Sequence, residues 1–148
     1  MTPIRIPQAT RTVPAPVGAV FELLARPDQH ALIDGSGTVQ DVQPGTPERL
    51  SAGARFGMQM HWGLRYKILN EVVEFEEGRR IAWRHFGGHV WRYLLEPVDD
   101  EHTRVTEQFD PTHSRAPWAL RLIRADRRNQ QSIEQTLQRL DQWARSRS

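Results

Sequence analysis

Residues 80–110 read RIAWRHFGGHVWRYLLEPVDDEHTRVTEQFD, and the fold is decided by how this stretch divides. Three segments rich in β-branched and aromatic residues stand out: Arg80–Phe86, Val90–Glu96 and Thr103–Asp110. Gly87-Gly88 separates the first two and is a two-residue hairpin signal, because primed turns need left-handed backbone that glycine adopts freely. The acidic turn Asp99-Asp100-Glu101 separates the last two. Links this short join antiparallel neighbours only, since parallel strands need a long crossover. Strand alternation then puts Ile81, Trp83 and His85 on one face, with Trp91, Tyr93 and Leu95 on the next strand and Val105, Glu107 and Phe109 on the third. The first two sets are apolar or aromatic, so these faces are assigned to the interior.

Working outward, the same reading extends in both directions. On the N-terminal side, Glu77-Gly78 turns back to a strand over Arg65–Phe75, and Trp62-Gly63 turns back again to Arg55–His61. That strand alternates Phe56, Met58 and Met60 against Gly57, Gln59 and His61. Thr38–Gln43 is a further strand, closed by Pro44-Gly45, and residues 4–13 are another, with Pro7 confining its first half to an edge or a lead-in. Pro14-Ala15-Pro16 stops that first strand. Pro16 suits the first position of a helix, and Val17, Val20, Phe21 and Leu24 follow at 3–4 spacing. Pro27 ends the helix, Asp28 is placed to cap a short second one through about Leu32, and Asp34-Gly35-Ser36-Gly37 forms a turn cluster. On the C-terminal side, Pro111 to Ser148 reads as one long helix, with Thr112 or Ser114 as cap and Pro117 near the first turn. Trp118, Leu122 and Ala125 begin an apolar face that Ile133, Leu137, Leu140 and Ala144 continue.

The expected architecture is α+β: a seven-stranded antiparallel sheet, two short helices near its start and one long C-terminal helix, all in a single domain over residues 1–148. One helix cannot tile a twisted sheet of that width, so a bent sheet and the helix should enclose an apolar cavity.

Composition narrows the function. The chain has 148 residues and no cysteine, which removes disulfides, thiol catalysis and thiolate metal sites. No apolar run is long enough to span a membrane, and the first residues lack an apolar signal core, so the expectation is a cytoplasmic protein without stable membrane insertion. Twenty basic residues against eighteen acidic ones give a net charge of only +2, despite a pI near 9.6. The densest basic stretch, Arg121, Arg124, Arg127 and Arg128, is interrupted by Asp126 and carries no stacking aromatics, so nucleic acid is not the expected partner. No nucleophile elbow, phosphate-binding glycine loop or catalytic triad is present.

Several segments resemble the helix-grip proteins, the START-like or SRPBCC superfamily that also holds pollen-allergen-like proteins. Ala15-Pro16 followed by Val20-Phe21, Leu23-Leu24-Ala25 and Pro27 looks like their opening. His30 through Asp34-Gly35-Ser36-Gly37-Thr38-Val39 is similar to the loop after the second helix in the bacterial polyketide cyclase/dehydrase-like branch, although Leu32-Ile33 stands where many relatives carry a Pro-x-Trp segment. Glu74-x-Glu76-x-Gly78-Arg79-Arg80-Ile81-Ala82-Trp83, Trp91-x-Tyr93-x-Leu95-Glu96-Pro97 and Thr103-Arg104-Val105-Thr106-Glu107-x-Phe109-Asp110 resemble its later strands. The resemblance runs in order along nearly the whole chain. It implies a shared apolar cavity beneath the long helix and no metal or other cofactor. It does not imply one activity, because such relatives include ring-closing enzymes, lipid or quinone carriers and interaction modules.

Within that frame Glu107 and His85 are the anomalies, polar groups on faces that should be apolar. Glu107 is a candidate polar anchor or general base, or else a carboxylate satisfied by an arginine, Tyr93 or water. His85 is a candidate acid/base or donor to a carbonyl, or else a rim histidine beside the glycine turn. Trp83, Trp91, Tyr93 and Phe109 form an aromatic wall suited to a ring or polyene, and equally suited to ordinary packing. Trp118 and Leu122 are lid candidates, while Asp34 reads as a turn residue. His85 and His89 lie four apart across a turn, but no third ligand is placed, so no metal is expected.

Three functions remain open. One is binding or transport of a small hydrophobic ligand such as a lipid, an isoprenoid or an aromatic polyketide. Another is a cofactor-independent cyclase or dehydratase in which Glu107 removes a proton while His85 or Tyr93 polarises a carbonyl. The third is a filled-cavity module that meets a protein partner or a second copy through Arg124 and Arg128.

Overall fold

A computed structural model describes residues 6–34, 39–42, 46–62, 64–85, 88–111 and 125–147. The strands are β1 (Gln8–Val13), β2 (Val39–Val42), β3 (Arg55–Trp62), β4 (Leu64–Glu76), β5 (Arg80–His85), β6 (Val90–Asp99) and β7 (His102–Asp110). The helices are α1 (Val17–Ala25), α2 (His30–Ile33) and α3 (Ala125–Ser146), with a 3-10 turn at Pro27–Gln29 before α2. The strands form one sheet in the order β1-β7-β6-β5-β4-β3-β2, and every pairing is antiparallel.

Local details differ from the sequence reading in two places. Pro16 is the N-cap residue of α1 rather than its first helical position, and its carbonyl accepts from the Ala19 and Val20 N–H groups at 3.0 and 3.1 Å. Asp28 makes no cap; it lies inside the 3-10 turn, 3.6 Å from the Arg26 guanidinium. Of the expected glycine turn between β5 and β6, Gly87 lies, with Phe86, outside the described residues. The His85 N–H donates to the His89 carbonyl and the Gly88 N–H to that of His85. Gly88 takes the left-handed backbone there, at φ 99°.

Two registers place the interior. Phe75, Ile81, Tyr93, Glu107 and Ala9 stand opposite one another across β4, β5, β6, β7 and β1, and Val72, Trp83, Trp91 and Phe109 form a parallel row. Val72 and Phe75 are an odd number of residues apart, so an unbroken strand would send them to opposite faces. An irregularity between Val72 and Glu74 adds Val73 to β4, so that Val72 and Phe75 both face inward. On the outer face Glu74, Ala82, Arg92 and Gln108 share a row. Arg92 reaches over Ala82 to Glu74 at 2.6 Å and also donates to Gln108 and Asp110. Arg84 with Glu71 and Arg104 with Glu96 extend the pattern, so much of the arginine on this face is neutralised locally.

The core lies between the inner face and the helices. Val20, Phe21, Leu23 and Leu24 come from α1, and Ile133, Leu137, Leu140 and Ala144 from α3, at the spacing expected of one helical stripe. Leu50 joins them because its N–H donates to the Ala25 carbonyl at 2.7 Å, which draws the loop before β3 inward. α3 is pinned to the edge strand β1 twice. Gln130 both accepts from and donates to the Gln8 backbone, and buried Asp141 pairs with Arg11 at 2.7 Å and with Arg145 at 2.9 Å. The Gln130 bonds occupy groups that an edge strand would otherwise offer to another chain.

The β4–β5 turn supplies a direct test. Gly78 holds φ 75°, and a methyl group added there would meet open space. Gly78→Ala should therefore cost only the left-handed backbone penalty, about 1–2 kcal/mol. The urea midpoint should fall with an unchanged slope, whereas an unshifted midpoint would show that this turn does not hold its φ in solution.

Candidate functional site

Glu107 is 3% exposed on the inner face of β7, one strand in from the β1 edge. Its cross-strand neighbours are Tyr93 on one side and Ala9 on the other. The Tyr93 hydroxyl donates to Glu107 Oε1 at 2.8 Å, while Oε2, equally buried, has no hydrogen-bond partner among the described residues. Burial pushes the Glu107 carboxyl up to about 8, against the smaller downward pull of the Tyr93 bond and with a further upward push from Asp34. The Tyr93 phenol is raised as well, first by burial and then by Glu107. Both shifts favour the neutral form, and with Oε1 accepting from Tyr93 a carboxyl proton would sit on Oε2.

An aromatic wall flanks the pair. Trp83 lies 5.7 Å from Tyr93, centroid to centroid, and Trp91 meets Phe109 edge-on at 4.9 Å. Trp83 is held from behind by the His30 ring, stacked at 4.9 Å and 20°, and by Phe56 at 5.6 Å. His30 faces the Leu24 carbonyl through Nε2 at 2.9 Å. A neutral ring must be the donor there, and burial lowers the His30 pKa. At the hairpin end His85 stacks on His89, with centroids 4.4 Å apart and planes at 14°, and His89 leans on Phe109 at 4.9 Å. Both imidazoles are lowered to about 4, by burial first and, for His89, by its neighbour as well.

Of the residues singled out from sequence, Tyr93, Glu107 and Phe109 are buried together, Trp83 and Trp91 are partly buried against the core, and His85 belongs to the histidine stack. Trp118 and Leu122 lie outside the described residues, as do Arg121, Arg124, Thr112, Ser114 and Pro117, Gly35 to Gly37, and the side chains of Met58, Met60 and His61. No group of three metal-ligating side chains occurs among the described residues. His30, which sequence reasoning did not single out, and Asp34, which it read as a turn residue, belong to the site. His30 supports Trp83, and Asp34 lies close enough to raise both Glu107 and Tyr93. Arg139 of α3 donates to the Asp34 carbonyl at 3.0 Å, which ties the end of α2 to the long helix. The available signal was the four-residue spacing of His30 and Asp34, which sets them one helical turn apart.

A family model described as polyketide cyclase / dehydrase and lipid transport matches residues 7–144. The chain belongs to this family. It is 34% identical over 145 residues to the uncharacterized protein Rv0088 of Mycobacterium tuberculosis, a match covering 92% of this chain and 63% of the relative. The chain thus spans less than two thirds of that relative's length. Among solved structures, protein NE0264 from Nitrosomonas europaea superposes with a TM-score of 0.72 at 15% identity, covering 99% of this chain and 100% of that one. ChR145 from Cytophaga hutchinsonii gives 0.69 at 17% identity, covering 98% and 97%. At such identities these two show a shared fold alone. No described helix is long and apolar enough to cross a membrane.

Proposed function

We propose that the protein binds a small hydrophobic ligand, such as a lipid, an isoprenoid or an aromatic polyketide, in a cavity between the inner sheet face and α3. The observation that carries this reading is the unpartnered Oε2 of Glu107, buried beside an aromatic wall. A buried polar atom left unpaired costs on the order of 1–3 kcal/mol, a cost that a ligand able to bond it would relieve. Apolar burial against Trp83, Trp91 and Phe109 supplies most of the affinity, at roughly 25 cal/mol per Å² removed from water, and Glu107 fixes orientation.

One observation favours catalysis as a second reading. A carboxylic acid at about 8, next to a phenol, is a competent proton donor to a carbonyl or a leaving hydroxyl. At neutral pH this makes Glu107 an acid rather than the base anticipated from sequence.

Native mass spectrometry of the purified protein, with solvent extraction of whatever it carries, tests the primary reading. A stoichiometric hydrophobic adduct is the expected result, and Trp83→Ala should lower its occupancy at least tenfold. A bare mass, together with no binding of naphthalene or its derivatives, would overturn it. A carrier returns its ligand chemically unchanged, whereas an enzyme releases altered product from the native protein but not from Glu107→Gln.

A further inference from the structure

We infer that the site selects its ligand by the charge of the polar group, accepting a neutral carbonyl or hydroxyl oxygen and rejecting a carboxylate. The inference rests on the ligand-binding reading above and names the chemistry that this reading leaves open.

The Glu107–Tyr93 pair has little to offer an incoming ligand beyond one proton. The phenol has one proton, and the 2.8 Å bond commits it to Oε1. Oε2 is the atom without a partner, and it carries the acid proton, so the pair presents a single donor to an incoming molecule. A ketone, quinone, ester or alcohol oxygen satisfies that donor with no charge moved out of water.

The surroundings decide against an anion. Among the described residues, the groups acting on Glu107 are Tyr93 and Asp34, and neither is a cation. Arg11 on β1, the strand beside β7, is committed to Asp141. His30 points its Nε2 at Leu24, and the His85–His89 stack is neutral. A fatty acid carboxylate would therefore sit beside Asp34, where Arg139 is already bonded to the Asp34 carbonyl and where, among the described residues, no cation acts on Glu107, so its desolvation goes uncompensated, which buried charges do not tolerate. An ammonium group would have to take the proton's place by ionising Glu107 within a buried aromatic setting.

Four probes of one shape and different charge test this: naphthalene, 2-acetylnaphthalene, 2-naphthoate and 2-naphthylmethylammonium, titrated calorimetrically into the full chain at pH 7. The expected order puts the ketone first, at least tenfold tighter than the carboxylate. Its affinity should drop about tenfold between pH 7 and pH 9 as Oε2 loses its proton, since only the protonated fraction binds. Glu107→Gln, whose amide N–H still donates, should keep the ketone affinity and lose that pH dependence. Glu107→Leu should reduce the ketone to the level of naphthalene. Naphthoate binding as tightly as the ketone, or the ammonium binding more tightly, would overturn the inference. If naphthalene binds and no substituent improves on it, charge selection fails while the ligand-binding reading stands. If none of the four binds, that reading fails and this inference with it.

Discussion

Replacing Glu107 by Gln is expected to make the protein more stable in mild alkali and to leave it nearly unchanged in mild acid. The sign follows from where the proton is held. In the unfolded chain this carboxyl releases its proton near the ordinary value of 4.5, whereas in the fold burial holds it to about 8. Between those values the native state binds a proton that the unfolded state has lost, so stability falls as pH rises and levels off above the upper value. The full excursion is about 3–5 kcal/mol, at roughly 1.4 kcal/mol per unit of pKa. Glutamine has the same shape, keeps an oxygen to accept from Tyr93 and cannot titrate. At pH 5 the two proteins should melt within a few degrees of each other. At pH 8.5 the variant should melt roughly 10 °C higher, taking 2–4 °C per kcal/mol for a chain of this size. Thermal scans across pH 5–9 measure this. Parallel curves with a constant offset would show that Glu107 titrates in the fold as it does in water, and the neutral-donor argument would go with it.

This prediction turns on a residue that was visible in the sequence, and the reason it was visible is instructive. In the strand Val105-Thr106-Glu107-Gln108-Phe109, period-two alternation alone puts a carboxyl between two core side chains. A regular strand needs no tertiary information for that inference, and β5, β6 and β7 contain no bulge until Pro97. β4 shows the opposite case. The extra residue at Val73 reverses its parity, and nothing in Glu71-Val72-Val73-Glu74-Phe75 announces it, because either valine could face inward. The stripe Ile133, Leu137, Leu140 and Ala144 was likewise readable, since helical spacing and burial are coupled within one element. His30 and Asp34 were not. They follow a proline in a short, polar segment, and what matters about them is which strand they meet across the fold. The partner of Glu107 could be listed from sequence but not chosen. Arginine, tyrosine and water were all admissible until the β6–β7 register set Tyr93 opposite Glu107.

Stability should fall on the acid side as well, and histidines set that limb. His85 and His89 are lowered from 6.5 to about 4, and His30 is lowered too, in each case first by burial. A histidine with a depressed native pKa contributes stability that is complete above the unfolded value and is lost as pH falls toward the native one, because the unfolded chain takes the proton first. Each of the stacked pair is part-exposed, so about 2 kcal/mol is a fairer share than the roughly 3 that the shift alone implies. Glu107 works in the other direction between 4.5 and 6.5, but one carboxyl faces three imidazoles. Stability should therefore peak near pH 6.5 and fall toward pH 5. The stack adds a coupling of its own. With ring centres 4.4 Å apart, the first proton opposes the second, so acid should open the β5–β6 hairpin before the rest of the sheet. Proton NMR of the imidazole Cε1–H resonances follows each ring directly. Those of His85 and His89 should stay at their neutral positions until the pH is below about 5. The double variant His85→Phe with His89→Phe keeps two stacked rings and removes both protons, so it should flatten the limb between pH 6.5 and 4. Ordinary midpoints near 6.5 for both histidines would mean that the hairpin end is open to water, and the aromatic wall would then stop at Phe109.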